Sequence, residues 1–157
     1  MSAPSAPFTK LSPVDRVFNR IFGALVALGI GFAHNWQLEV RGRRSGRLYS
    51  TPVDVVTHGG RRYLVAPRGE TQWVRNARAS GEVTLRKGRR RATHRLRSLS
   101  DAEKPPILKA YLDAFRTTVK GFFPVPAGSP ESAFVPLAGR YPAFELLPAS
   151  TTGTDVG

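Results

Sequence analysis

The residues best able to do chemistry in this chain are Gly42-Arg43-Arg44-Ser45-Gly46-Arg47, followed closely by Ser50-Thr51-Pro52. Three arginines, two glycines and a hydroxyl fall where a tight turn is expected between two strands. Glycine lets the backbone approach a ligand and turn its N–H groups outward, and guanidinium forks bind phosphate or carboxylate bidentately. That combination suits a polyanion. The bland alternative is a solvated basic turn, so the rest of the chain must decide.

The elements that would present this turn read as short strands. Residues 36–41 alternate in polarity, and residues 50–57 form a second strand with Pro52 near its start, where a missing N–H is tolerated. His58-Gly59-Gly60 is a hairpin turn leading to a strand over 62–66. Thr71 to Ala79 reads as a short helix capped by Thr71. A second hairpin, 82–86 and 90–98, turns at Lys87-Gly88-Arg89. Asp101 to about Val119 reads as a helix begun or broken at Pro105-Pro106. A loop over 123–130 rich in Pro and Gly precedes short strands near Ala133–Pro136 and Ala143–Leu147. Hairpins rather than βαβ units predict an antiparallel sheet or small barrel.

Residues 14–33 read as a helix, with Val17, Ile21, Leu25, Leu28 and Phe32 on one stripe and Ser12 and Pro13 at its start. From Ile21 to Ala33 it is apolar all round. That run spans roughly 20 Å, short of the ~30 Å hydrocarbon core, which argues against a membrane-spanning helix. A signal-peptide reading rests on the basic start and Gly31-Phe32-Ala33. The other readings are packing on the core or a partner copy, and lying in a membrane interface. The expected organisation is a tail at 1–13, this helix, one domain over 34–148, and a tail at 149–157.

Charge narrows the function classes. The net charge is +13, carried by 19 arginines and five lysines, with most of the arginines between Arg41 and Arg97. Arginine excess often just reflects a GC-rich genome, but its placement concentrates a positive field on the sheet, which recruits anions. The absence of cysteine excludes disulfides and thiolate chemistry. His34, His58 and His94 have no metal-ligand spacing, so no metal is expected. Nucleic acid is disfavoured, because the basic residues are not interleaved with aromatics and no recognition-helix motif occurs.

The order of these pieces resembles the deazaflavin-dependent nitroreductase family: a strand, the Gly42–Gly46 turn, the Thr51-Pro52 strand, the Gly59-Gly60 hairpin, a strand ending in Ala66, and Trp73-Val74-Arg75-Asn76. The resemblance covers roughly residues 35–147. It implies an α+β, mainly β, antiparallel split β-barrel of the FMN-binding type, with flanking helices and an N-terminal apolar helix. It also implies coenzyme F420, a deazaflavin carrying a phosphate and an oligoglutamate tail. Arg43, Arg44, Ser45, Gly46 and Arg47 would then hold the tail. Thr51 and Pro52 would lie near the ring, Ala66, Pro67, Arg68 and Gly69 would wrap the ring edge and phosphate, and Trp73 and Asn76 would buttress that loop. Leu48-Tyr49 stands where members often have Pro-Arg, and the loop over 68–72 is shorter than usual.

The implied activity is hydride transfer from reduced deazaflavin to a hydrophobic quinone, enone or nitro compound. The cofactor supplies the chemistry, and the protein binds, orients and excludes water. The accompanying proton could come from Tyr49, Ser50, Tyr111, Tyr141 or water, and no single catalytic residue stands out. Tyr63 reads as core, Arg89-Arg90-Arg91 as a hairpin tip, and Asp54 as either solvent-facing or paired with a buried arginine. The alternatives are an FMN- or haem-binding split barrel, or a non-catalytic basic module on nucleic acid or a membrane surface. A cytoplasmic protein, with peripheral membrane contact through 14–33 and scope for a homodimer, fits the leading reading.

Overall fold

The computed structural model describes residues 35–149. The helix expected over 14–33 and the expected tails, apart from Ala149, lie outside the described residues. Six antiparallel strands close a barrel in the order β1-β2-β3-β6-β5-β4. They are β1 (Asn35–Arg41), β2 (Leu48–His58), β3 (Arg61–Val65), β4 (Glu82–Lys87), β5 (Arg90–Ser98) and β6 (Ala143–Pro148). Helix α1 (Gln72–Ser80) follows β3, and α2 (Lys104–Val119) follows β5.

The barrel interior is apolar. Leu38, Leu64 and Leu85 are fully buried there with Val40, Val83, Phe144 and Leu146, and Val74 and Ala77 of α1 join the same cluster. Each such side chain contributes roughly 1.5–3 kcal/mol by leaving water. A second core lies outside the barrel, where Ile107, Leu108, Tyr111, Leu112 and Phe115 of α2 pack on Val56, Tyr63 and Val65. Pro105 and Pro106 sit in the first turn of α2, where no N–H bond is lost, so the prolines begin the helix. Lys104 is buried and ties this start to the following segment, donating to Asp101 Oδ1 at 2.9 Å and the Ala138 carbonyl at 3.0 Å.

The strand expected near Ala133–Pro136 is a 3-10 helix spanning Glu131–Arg140. Phe134 and Leu137, three residues apart, are both buried in the α2 core, which is the spacing of a 3-10 turn rather than of a strand. The barrel also closes without it, since β3 pairs directly with β6.

Strand lengths leave one opening. β2 has 11 residues, but only Val55–His58 pair with β3. From Leu48 to Asp54 its β3-side edge therefore has no partner strand among the described residues. At ~3.3 Å per residue this free edge is about 20 Å long. Pro52 lies within it, further into β2 than the sequence implies, and a residue without an N–H is tolerated where one side of the strand carries no ladder.

Candidate functional site

β1 and β3 run in the same direction, so the turn after β1 and the loop after β3 emerge at one end of the barrel. Helix α1 starts at that end. The turn is tight: Gly42 N–H donates to the Arg47 carbonyl at 2.7 Å, and Gly46 N–H to the Gly42 carbonyl at 3.0 Å. Gly46 has φ +71°, a left-handed conformation that costs other residues ~1–2 kcal/mol. Ser45 Oγ accepts from Arg47 N–H, so its hydroxyl shapes the turn.

Arg43 braces the turn against α1. Its backbone N–H donates to Asn76 Oδ1 at 3.1 Å, and its Nη1 donates to Asn76 Oδ1 at 2.8 Å and to Gln72 Oε1 at 2.9 Å. Asn76 is itself buried. Thus the basic turn and the tryptophan-bearing helix, 33 residues apart in sequence, meet directly. Arg44 and Arg47 are exposed and carry no ion pair among the described residues. Gln72 was not singled out from the sequence, although its place one turn before Asn76 is the signal.

The loop after β3 is equally compact. Ala66 is buried and its N–H donates to the Pro142 carbonyl, Gly69 N–H donates to the Ala66 carbonyl, and Thr71 N–H to the Gly69 carbonyl. Gly69 has φ +81°, and a Cβ there would sit 3.6 Å from the Arg140 carbonyl oxygen. Pro67 is half-buried and Arg68 lies over the exposed Phe122 ring at 5.3 Å. Thr71 occupies the N-cap backbone position of α1, but its hydroxyl makes no cap bond, contrary to the sequence expectation. Its Oγ1 is buried without a partner, beside the free N–H groups of a helix start.

Trp73 is half-buried and packs against the barrel core, its ring centroid 6.1 Å from that of Phe144. Thr51 and Pro52 are both half-buried, but their side chains point to opposite faces. Thr51 is paired with Leu38 of the interior, and Pro52 with Gln37 of the outer face. They share the free edge of β2 through their backbone only.

Asp54 is half-buried, and its carboxylate accepts from Asn35 Nδ2. Burial, and then the Asp54 charge, push the Tyr111 phenol far up, so it stays protonated. The Tyr141 hydroxyl is taken by the Phe122 carbonyl. Tyr49 and Ser50 remain exposed on the free edge. Of the hairpin-tip arginines, Arg91 reaches Glu39 at 3.1 Å, so only Arg89 and Arg90 fit the reading of a free tip. Among the described residues no group of three His, Asp or Glu could hold a metal ion. A cavity of about 310 Å³ lies elsewhere, lined by Arg116, Thr117, Lys120, Pro126 and Ala127.

Residues 41–47 and 66–80 together hold seven arginines and one acid, Glu70, which is paired with Arg78. The site is therefore cationic, with compact loops, a helix start and an open strand edge. Against known proteins, the model of the F420H(2)-dependent quinone reductase family matches residues 16–116, more than half of the chain. The chain belongs to the F420H(2)-dependent quinone reductase family.

That membership makes it a member of an oxidoreductase family named for F420H(2). The split-barrel fold is shared with several solved structures. A protein described as a domain-swapped dimer is 18% identical with a TM-score of 0.53, covering 86% of this chain and 99% of that one. An F420-H2 dependent reductase, FDR-A, is 16% identical with a TM-score of 0.50, covering 73% and 94%. HutZ, a haem storage protein from Vibrio cholerae, is 12% identical with a TM-score of 0.52, covering 88% and 89%. No curated protein matches the chain. Among the described residues no helix is long and apolar enough to cross a membrane.

Proposed function

We propose that the chain binds coenzyme F420 along the free edge of β2 and reduces a hydrophobic electrophile, a quinone before an enone or nitro compound. The observation that carries this reading is the Arg43 brace to Gln72 and Asn76. It joins the basic turn to the start of α1, so one elongated anion can touch both. Arg44 and Arg47 offer two guanidinium groups to the carboxylate tail. The unpartnered Thr71 hydroxyl and the N–H groups at the start of α1 suit the phosphate. Pro67 and Gly69 shape the loop that covers the ring edge, and Pro52 supplies an apolar surface beside it.

When bound, the reduced deazaflavin supplies a hydride. The residues named here bind the tail, orient the ring and keep water from one side of it. Tyr49 and Ser50 hold exchangeable protons on the same strand edge, where the acceptor must gain one. The exposed Leu48 and Tyr49 give an apolar acceptor a surface beside the turn.

The test is parallel titration with F420 and FMN, followed by single-turnover reduction of a soluble quinone by the reduced deazaflavin. Micromolar or tighter F420 binding with hydride transfer is expected. Tight FMN binding without F420 binding moves the chain to the flavin reading. Steeply salt-dependent DNA binding without either cofactor moves it to the nucleic-acid reading.

A further inference from the structure

The outer face of β1 and β4 holds a polar pair that the tail and loop contacts do not use. Gln37 stands opposite Pro52 on one side and opposite Arg86 on the other, so these residues form one row across β2, β1 and β4. Alternation turns this row away from Leu38 and Leu85, hence out of the barrel. Gln37 is only 5% exposed, and its Oε1 has no hydrogen-bond partner. The Nε–H of Arg86 is also buried and has none. Glu39, two residues along the same face, differs, because Arg91 lies 3.1 Å from its carboxylate and compensates the charge.

A buried acceptor and a buried donor left unpaired on adjacent strands are an unfavourable arrangement for the empty fold. Directly opposite residues on a ladder have Cβ atoms about 5 Å apart, so the two side chains are neighbours. They complement a ligand edge that carries an N–H next to a carbonyl. A pyrimidinedione ring presents such an edge, the imide CO–NH–CO. The row lies four residues from the end of β1, about 13 Å from the basic turn, which leaves room for a ribityl phosphate between ring and tail.

We propose that Gln37 and Arg86 recognise the imide edge of the deazaflavin ring. Gln37 Oε1 accepts from the ring N–H, Arg86 Nε–H donates to a flanking carbonyl, and the ring lies against Pro52. This rests on the cofactor reading above. Flavin carries the same imide, so the pair reads the ring while the basic turn reads the tail.

The test uses Gln37→Leu, Arg86→Met and the double variant Arg44→Ala/Arg47→Ala. Each is titrated with intact F420, with the deazaflavin nucleoside lacking phosphate and glutamates, and with that nucleoside methylated at the imide nitrogen. FMN is the flavin control. Gln37→Leu is expected to bind F420 and the nucleoside about tenfold more weakly, while losing nothing toward the methylated nucleoside. Its ligand-free Tm should stay level or rise, because an unpaired buried oxygen is removed. The double arginine variant should weaken F420 and leave the nucleoside unchanged.

If Gln37→Leu and Arg86→Met keep wild-type affinity for F420 and the nucleoside, the imide assignment is wrong while the cofactor reading stands. A lowered ligand-free Tm with equal losses toward all three deazaflavins makes Gln37 a packing residue and also overturns it. Wild-type protein that binds neither F420 nor FMN overturns both readings together.

Discussion

Replacing Arg44 and Arg47 together by alanine should separate cofactor binding from stability at the basic turn. Both side chains are exposed and carry no ion pair among the described residues, so their loss should change stability little. If each donates one charge-assisted bond to the tail, the loss is ~1.5–3 kcal/mol apiece. Exposure to salt and water takes the total toward the lower end, about 3 kcal/mol or two orders of magnitude in Kd. Asn76→Ala should do the reverse. It removes the acceptor of Arg43 N–H and Nη1 from a buried position, and water can reach the exposed guanidinium but less readily the backbone N–H. A stability loss of ~1–2 kcal/mol follows. Fluorescence titration with F420 at two salt concentrations, beside urea melts of the same variants, reads both quantities. An Arg44→Ala/Arg47→Ala protein whose Kd stays within twofold of wild type would refute the tail assignment. So would an Asn76→Ala protein with an unchanged midpoint, for the brace.

Other perturbations test the surroundings. Burial first, and then the Arg62 charge, hold the His94 imidazole below its usual pKa. The unfolded chain therefore binds the extra proton more readily, and stability should fall as pH drops below ~6.5 and level off once His94 protonates in the fold. Urea midpoints from pH 8 to 5 should show this slope, reduced in His94→Leu. Gly69→Ala should cost ~1–2 kcal/mol because its φ is +81°, and thermal melts will read it. Glu145→Ala removes the buried carboxylate that Arg61 and Arg97 hold at 3.2 and 2.9 Å, leaving Arg97 paired with Glu103 alone. Those arginines are substantially exposed, so the loss should fall below the ~3–5 kcal/mol of a fully buried pair. Removing residues 1–33 should lower flotation with anionic liposomes while leaving single-turnover reduction of a soluble quinone intact; a lost rate instead makes that segment part of the active-site wall.

Hairpins were legible because glycine marks them: Gly59, Gly60 and Gly88 all take positive φ at strand junctions. The first residues of β2 were not, since Leu48 and Tyr49 are exposed and carry no burial pattern. Ala133–Pro136 misled because a short apolar run does not reveal its period, and Phe134 with Leu137 declares it only once α2 is in place. The basic turn and the Trp73–Asn76 segment were each visible as local motifs. Their contact through Arg43 was not, because no local pattern couples residues 33 positions apart. Gln37 and Glu39 alternate as solvent-facing residues should, yet both are buried. Alternation assigns a face to a side chain and says nothing of what covers that face.

In the proposed function, one end of the barrel, from the basic turn to the start of α1, holds the tail and phosphate of a single anionic deazaflavin. An amide chemical-shift map of the labelled protein with added F420 tests it most directly. Shifts should concentrate in Arg43–Arg47, Ser50–Val53, Ala66–Gly69 and Gln72–Asn76, and extend to Gln37 and Arg86 where the ring edge is proposed to lie. Saturable shifts confined to the opposite barrel end, at His58–Gly60 and Lys87–Arg90, would contradict it.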